Sequence, residues 1–184
     1  ISWVCFAFVN ATVGLAAALV SLARPPAPPA FERLAEARTV ILFPTYNEDT
    51  EHVFSTVLAT ARMMSGAPGS FECFILSDTN DPEIALTEEA AFERLARQAP
   101  HDMPVRYRRR TVNKHRKAGN VRDFVTRWGG RYDYMIVFDA DSYMERDAIL
   151  ALVDAMQAAP QTGLIQTIPQ LVGGESLFAR CQQF

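Results

Sequence analysis

Two carboxylates that follow an apolar run are the strongest chemical signal in the sequence. Asp139 and Asp141 flank a single alanine directly after the run YMIVF, residues 134–138. Side chains two residues apart on a strand point the same way, so both carboxylates would converge on one point. Like charges so placed need a countercharge, and oxygen ligands suit Mg²⁺ or Mn²⁺. The spacing predicts a divalent metal site; the alternative is that Asp141 or Ser142 caps a following helix.

Basic side chains are crowded between residues 106 and 117, and one of them stands close to a glycine. Lys117 comes three residues before Asn120, and Gly119 between them allows a close backbone approach. A lysine at the start of a helix can hold a phosphate. The alternatives are a solvated basic strand end, a surface facing anionic lipid headgroups, or a nucleic-acid patch, although aromatic residues are few here. The basic residues are Arg106, Arg108, Arg109, Arg110, Lys114, Arg116 and Lys117.

Two further polar clusters follow the first two apolar runs of the globular part. They read PTYNED, residues 44–49, and SDTNDP, residues 77–82. Pro44 and Asn47 could simply form a turn, and Asp81 with the proline after it could start a helix. Taken singly, neither cluster decides between a turn and a binding site.

The elements that must position these residues alternate between strand and helix. Apolar, β-branched runs predict strands, and helical periodicity predicts helices between them. The predicted strands are 39–43, 71–76, 104–109, 134–138 and 163–167, and the predicted helices are 51–64, 83–98, 119–128 and 145–158. This order indicates an α/β fold with an open, mostly parallel sheet covered on both faces. Ligands of such sheets bind beyond the carboxyl ends of the strands, where all the polar clusters fall.

Residues 1–23 carry no charge and predict one transmembrane helix. Such a helix would be about 34 Å long, and a bilayer's hydrocarbon core is roughly 30 Å thick. A secretory signal peptide is the alternative, but no basic segment precedes the run. Residues 24–37 then predict a proline-rich linker and a short helix. Arg24, Arg33 and Arg38 favour a cytosolic location for the globular part of the chain.

The composition is that of a globular protein. The 184 residues are 49% hydrophobic and 21% charged, with a formal net charge of -3. The mild acidity argues against a nucleic-acid partner. The 3 cysteines are widely spaced and the 3 histidines lack zinc-ligand spacing, so neither a disulfide framework nor a histidine metal centre is expected. Because the chain starts at Ile1 and ends in a helical pattern, we expect it to be part of a longer protein.

Together the motifs resemble a known family, the family 2 glycosyltransferases with the GT-A fold, a Rossmann-like nucleotide-diphospho-sugar transferase fold. The resemblance lies in residues 44–48, Asp78, residues 117–120 and the pair Asp139 and Asp141. It covers about residues 38–184, as the N-terminal part of a truncated catalytic domain. Longer strings resemble, within that family, the inner-membrane synthases of osmoregulated periplasmic glucans: SDTNDPEIA, YRRRTVNKHRKAGN, DADSYM and ARCQQF.

The resemblance implies roles for particular residues. Tyr46 and Glu48 would contact uridine, and Asp78 would hold the uracil edge. Lys117 would contact the diphosphate. Asp139 and Asp141 would be the catalytic pair that holds Mg²⁺ or Mn²⁺. The implied substrate-binding set is Pro44, Tyr46, Asn47, Glu48, Asp78, Lys117 and Asn120.

Many members of the family carry a second carboxylate directly after the uracil-binding aspartate. Thr79 stands there in this sequence, which leaves the contacts near Asp81 undefined. The region in which the family keeps its catalytic base is not matched, so the sequence names no general base.

The resemblance also implies an activity, partners and a location. The chain would belong to a membrane-bound, metal-dependent, inverting glucosyltransferase that uses UDP-glucose to extend a β-glucan. Its partners would be UDP-glucose, the growing glucan, the lipid bilayer and other membrane helices of the full-length protein, with no nucleic acid. The catalytic domain would face the cytoplasm at a bacterial inner membrane. The alternatives are a cellulose- or hyaluronan-type synthase and a catalytically silent nucleotide-binding module.

Overall fold

A computed structural model describes residues 8–9, 12–15, 19, 37–140 and 142–167. The chain divides into two compact units, residues 1–30 and residues 31–184. The described residues of the first unit are helical and exposed. Most of the predicted membrane helix, residues 1–23, and nearly all of the predicted linker, residues 24–37, lie outside the described residues. Among the helices that can be described, none combines the length and the apolar character needed to span a bilayer.

In the second unit, the described residues are built around a parallel sheet of four strands. Strands and helices alternate along the chain, and the strand order across the sheet is β3-β2-β1-β4. The elements are β1 Arg38–Thr45, α1 Thr50–Met64, β2 Ser70–Ser77, α2 Pro82–Gln98, β3 Val105–Arg109, α3 Arg116–Trp128, a 3-10 turn Gly129–Arg131, β4 Tyr134–Val137 and α4 Arg146–Ala158. The parallel α/β prediction is confirmed, and so are its first four strands and all four of its helices.

Side chains of β1 show why both faces of the sheet are covered. Ile41 and Phe43 pack in a core that includes residues of α1, α2 and α4. Val40 and Leu42, which point the other way, pack in a second core with Phe124 of α3. Every residue of β1 after Arg38 is buried, as a central strand of a doubly covered parallel sheet requires.

The helices begin at residues that favour helix starts. The Asp49 carboxylate accepts a hydrogen bond from the backbone N–H of His52, which caps α1. The Asp81 carboxylate caps α2, which carries a proline in its first turn. The predicted helix start at Asp81 is therefore present. The loop between β2 and α2 is short, so its residues lie at the carboxyl end of β2.

Residues 163–167 were predicted to form a fifth strand, and that prediction is wrong: they form neither a strand nor a helix. The side chain of Leu164 is 79% exposed. An extended segment becomes a strand only when another strand pairs with its N–H and C=O groups. In the part of the chain that the structure describes, residues 163–167 have no such partner.

Candidate functional site

A pocket of about 860 Å³ lies at the carboxyl ends of the strands. Loops that follow all of the described strands contribute to its wall. The lining residues are Pro44, Thr45, Tyr46 and Glu48 from β1 and its loop, Asp78 and Asn80 after β2, Asn113, Arg116, Lys117 and Asn120 after β3, and Asp139 and Ala140 after β4. The convergence that the sequence predicted is therefore present in the fold.

Asp78, a buried residue that lines this pocket, forms an ion pair with the partly buried Arg110. Its carboxylate accepts two hydrogen bonds from the Arg110 guanidinium, one of them 2.7 Å long from Nη2 to Oδ2. The side-chain amide of Asn113 donates to the Asp78 carbonyl oxygen at 2.5 Å. Asp78 is only 3% exposed, so its charge needs this partner. The hydrogen bond to Asp78 also raises the pKa of Arg110, which keeps the guanidinium charged.

Asn47 ties the loop after β1 to the loop after β2. Its side-chain oxygen accepts from the backbone N–H groups of Asn80 and Asp81, at 3.1 and 3.3 Å. Its amide nitrogen donates to Asn80 Oδ1 at 2.8 Å. Asn47 has a φ of 52°, in the left-handed region that asparagine tolerates better than most residues. Its amide is thus engaged within the protein, and Asn47 is not one of the residues that line the pocket.

Asn120, near the start of α3, also links two elements through its side-chain amide. It is 1% exposed, and its amide nitrogen donates to the Leu76 carbonyl oxygen at 2.7 Å. Arg108 Nη1 donates to the Asn120 side-chain oxygen at 2.8 Å. These contacts join the second turn of α3 to the end of β2, so Asn120 fixes the helix that carries the pocket lysine.

Lys117 and Asp139 face each other across the mouth of the pocket as an ion pair. Both side chains are well exposed, at 49% for Lys117 and 69% for Asp139. Lys117 lies in the first turn of α3, which follows β3, and Asp139 lies in the loop after β4; β3 and β4 are the two edge strands of the described sheet. Because solvent reaches both charges, a ligand can replace either partner at small cost.

The start of α3, which carries Lys117, has an unusual backbone. His115 and Arg116 have φ values of 61° and 47°, and no side chain caps the helix. A Cβ atom at Gly119 would lie 1.9 Å from the Lys114 carbonyl oxygen. Only glycine therefore fits at position 119 without displacing this turn.

The basic run divides into paired and pocket-lining residues. All four arginines of the run before residue 111 are paired with carboxylates, and Arg116 and Lys117 line the pocket. The pairs are Arg106 with Glu72, Arg108 with Asp123, Arg109 with Glu89 and Arg110 with Asp78. A nucleic-acid or lipid patch made of the whole run would have to break these pairs.

The structure describes one of the two predicted metal ligands. Asp139 offers an accessible carboxylate at the pocket, and Asp141 lies outside the described residues. Within the ranges that can be described, no three His, Cys, Asp or Glu side chains cluster closely enough to hold a metal ion. The donor present is a carboxylate oxygen, which suits Mg²⁺ or Mn²⁺, and further oxygens would have to come from a bound ligand.

Most of the predicted substrate-binding residues meet at this one pocket. They are Pro44, Tyr46, Glu48, Asp78, Lys117 and Asn120. Sequence reasoning missed Asn80, Asn113 and Arg116, which also line it. Asn113 lies within the basic run, and a search for amide side chains beside Lys117 could have found it.

Comparison with known proteins gives a consistent result. A family model described as Glycosyl transferase family 2 matches residues 40–184. Proteins named Glucans biosynthesis glucosyltransferase H from Shewanella sp. (strain W3-18-1) and Shewanella putrefaciens are each 50% identical over 184 residues. The protein of the same name from Shewanella oneidensis is 49% identical. Each match covers 99% of this chain and 25% of the relative, so the chain spans about a quarter of their length. The predicted resemblance is confirmed.

A solved structure, protein Rv1636 from Mycobacterium tuberculosis H37Rv, is only distantly similar. It is 13% identical, with a TM-score of 0.33, over 74% of this chain and 99% of its own. That similarity is too low to support an inference about the fold or the site.

Proposed function

This chain belongs to glycosyl transferase family 2, and we propose that it forms the donor-binding part of a membrane-bound glucosyltransferase. The proposed donor is UDP-glucose, and the proposed product is the β-glucan backbone of osmoregulated periplasmic glucans. The observation that carries the proposal is the pocket, where loops from every strand of the sheet place carboxylates opposite a lysine. The name shared by the Shewanella relatives supports the glucan product.

The proposed fold type is GT-A. In support, the chain has a parallel α/β sheet whose ligand pocket lies at the carboxyl ends of its strands. This is the position at which open α/β sheets bind nucleotides.

The nucleoside half of the donor would lie against Tyr46, Glu48 and Asp78. Tyr46 is 52% exposed and presents a ring against which a base can stack. The Asp78 carboxylate has about four lone-pair sites, of which Arg110 uses two. The remaining acceptors suit the N–H of a uracil edge. Asn47 and Asn120, whose amides are engaged within the protein, would position these residues.

The diphosphate half would lie at the first turn of α3. Lys117 and Arg116 line the pocket there, and helix N-termini attract anions. In the bound state the Lys117 ammonium would exchange Asp139 for a phosphate oxygen. As the bond to the sugar breaks, its charge would stabilise the negative charge that develops on the departing UDP.

Asp139, together with Asp141, would hold Mg²⁺ or Mn²⁺ beside that diphosphate. When bound, the ion supplies Lewis-acid stabilisation of the leaving group. The Asp139 carboxylate can bind the ion because its ion-pair partner, Lys117, is exposed and can form a hydrogen bond to a phosphate oxygen instead.

The proposed transfer is inverting. An acceptor hydroxyl oxygen forms a bond to the anomeric carbon on the face opposite the diphosphate, while the bond from that carbon to UDP breaks. The electron pair of the broken bond leaves with UDP, and the hydroxyl proton passes to a base. The residues described here bind the donor and orient its leaving group for this step.

Calorimetry on the naturally expressed protein tests the proposal. We expect UDP to bind more tightly with Mg²⁺ or Mn²⁺ than with EDTA, and radiolabelled UDP-glucose to yield glucan. Asp139→Asn should remove the metal dependence of UDP binding and abolish transfer.

Asp133→Asn is the matched control, since Asp133 pairs with Arg38 away from the pocket. UDP affinity that responds equally to metal in wild type and Asp139→Asn would refute the metal assignment. No UDP binding by the wild-type protein would refute the function itself. A product with cellulose or hyaluronan linkages would leave the proposed donor site in place but identify the enzyme as a cellulose- or hyaluronan-type synthase.

A further inference from the structure

Glu88, in the second turn of α2, is a buried carboxylate that the proposed chemistry does not use. It is 2% exposed and is not one of the residues that line the pocket. Its oxygens accept hydrogen bonds from Ser77 Oγ at 2.6 Å, Thr79 Oγ1 at 2.7 Å and Tyr107 Oη at 2.9 Å. A buried carboxylate is costly unless its acceptors are satisfied, so this arrangement needs its hydroxyl donors.

Two of these hydroxyls also hold backbone groups. The Thr79 N–H donates to Ser77 Oγ at 3.1 Å, and the Asn47 N–H donates to Thr79 Oγ1 at 3.1 Å. Each hydroxyl therefore accepts a hydrogen bond from a backbone N–H and donates a hydrogen bond to Glu88. The network runs from α2, through the end of β2, into the loop that follows β1.

The third hydroxyl, that of Tyr107 on β3, holds no backbone group within the described residues. It donates to Glu88 and also interacts with the Ser77 side chain. Burial and the nearby Glu88 charge raise the pKa of Tyr107 above its usual range, so its hydroxyl stays protonated and donates.

The groups held by this network flank the nucleoside half of the pocket. Asp78 stands between Ser77 and Thr79, and Tyr46 directly precedes Asn47. We propose that Glu88 is a positioning residue for nucleoside binding, which acts through the Ser77 and Thr79 hydroxyls on Asp78 and Tyr46. The inference rests on the proposed function, because it assumes that the pocket binds a nucleoside diphosphate.

Glu88→Gln is the direct test because it keeps the volume and changes one acceptor into a donor. The new side-chain NH2 group takes the place of one carboxylate oxygen, so it faces either Thr79 or both Ser77 and Tyr107. The hydroxyl on that side then loses the acceptor of its hydrogen bond. In the naturally expressed protein, we expect uridine affinity to fall roughly tenfold, the usual scale for one displaced hydrogen bond in a buried site. The KM for UDP-glucose should rise by a similar factor at unchanged kcat, and affinity for inorganic diphosphate should stay as in wild type.

Tyr107→Phe is the matched control. It removes a hydroxyl from the same carboxylate but leaves both backbone links in place. Uridine affinity in Tyr107→Phe should therefore stay within about twofold of wild type, a change of less than 0.5 kcal/mol. A purely structural role for Glu88 would make the two variants alike.

A second pair of variants serves if Glu88→Gln does not fold. Thr79→Val removes the hydroxyl that links Glu88 to Asn47, and Thr79→Ser keeps it. We expect weakened uridine binding in Thr79→Val and near-normal binding in Thr79→Ser.

The outcomes separate this inference from the proposed function. If wild-type protein binds uridine and UDP but Glu88→Gln binds both equally well, the inference is overturned and the function stands. If Glu88→Gln loses affinity for uridine and for inorganic diphosphate to the same extent, the inference is also overturned, because the effect would then not be confined to the nucleoside half of the pocket. Absence of uridine and UDP binding in wild type overturns both.

Discussion

At the scale of single residues, the charges of the pocket differ in how firmly the protein already holds them. Asp78 is buried and bound by two nitrogens of Arg110. Lys117 and Asp139 are exposed and hold only a surface ion pair, which contributes little to stability. The Asp78–Arg110 pair therefore fixes the shape of the pocket, whereas Lys117 and Asp139 can each exchange their partner for a charged group of a ligand.

Replacing Lys117 tests this division. Lys117→Met removes a charge-assisted hydrogen bond to the diphosphate, worth about 1.5–3 kcal/mol, so we expect UDP affinity to fall roughly 10- to 150-fold. Uridine affinity should not change, since the nucleoside half lies against other residues. Calorimetry with both ligands measures the difference.

Lys114→Met is the matched control for that experiment. Lys114 is exposed in the loop just before α3 and does not line the pocket, so UDP affinity should stay close to wild type. If Lys117→Met weakens uridine and UDP to the same extent, Lys117 supports the fold and does not contact phosphate.

Cys73 illustrates a residue whose chemistry the fold suppresses. It is a free thiol in the middle of β2 with no solvent exposure. Burial, with a smaller effect of the neighbouring Glu72 charge, raises the pKa of Cys73 to about 12. At pH 8 the thiolate that reacts with alkylating agents is therefore scarce.

We expect iodoacetamide at pH 8 to leave Cys73 unmodified in native protein and to alkylate it fully in guanidinium chloride. Peptide mass spectrometry reads this site separately from the other cysteines. Rapid alkylation of native Cys73 would show that β2 opens readily or that the thiol has a reactive role.

At the scale of elements, the first turn of α3 sets the position of Lys117. Its left-handed residues and the close approach of Gly119 to the Lys114 carbonyl leave no room for a Cβ atom. Gly119→Ala must displace this turn, and overpacking of this kind costs about 1–3 kcal/mol. We expect a lower melting temperature and UDP affinity reduced at least as far as in Lys117→Met.

Gly130→Ala is the control for position 119. A Cβ atom at Gly130 would meet nothing within 4 Å, so neither stability nor UDP affinity should fall. Unchanged UDP binding in Gly119→Ala would mean that the turn can rearrange without moving the phosphate contact.

The same turn shows where sequence reasoning stops. The helix was predicted from residue 119, whereas it begins at Arg116. The His115 side chain does not cap the helix, and a left-handed backbone at a histidine cannot be predicted from the residue types around it. The starts of α1 and α2 were easier to place because Asp49 and Asp81 cap them.

Glu88 was missed for a related reason. In the sequence it is an ordinary acidic residue of a helix with many charges, which is usually exposed. Its burial depends on hydroxyls that the fold brings from β2, the following loop and β3. The strand-end residues were predictable because their position follows from the order of strands and helices alone.

At the scale of the whole molecule, the pocket must be reached by its proposed donor. UDP-sugars are made in the cytosol, so a donor site in the second unit has to face that compartment. The uncharged stretch of residues 1–23, followed by Arg24, Arg33 and Arg38, predicts the same orientation, because basic residues favour the cytosolic side of a membrane helix. The location of the substrate and the distribution of charge support this orientation independently.

Labelling from each side of the membrane tests this orientation. Leu164 is 79% exposed, so Leu164→Cys offers an accessible thiol on the second unit. We expect a membrane-impermeant maleimide to label it in inverted vesicles and not in right-side-out vesicles, and to label it in both once detergent is added. Buried Cys73 is an internal control, because it should stay unlabelled in every native sample. Labelling of Leu164→Cys in right-side-out vesicles would place the pocket outside the cytosol. A UDP-sugar could then not be its donor, and both the topology and the proposed substrate would have to be given up.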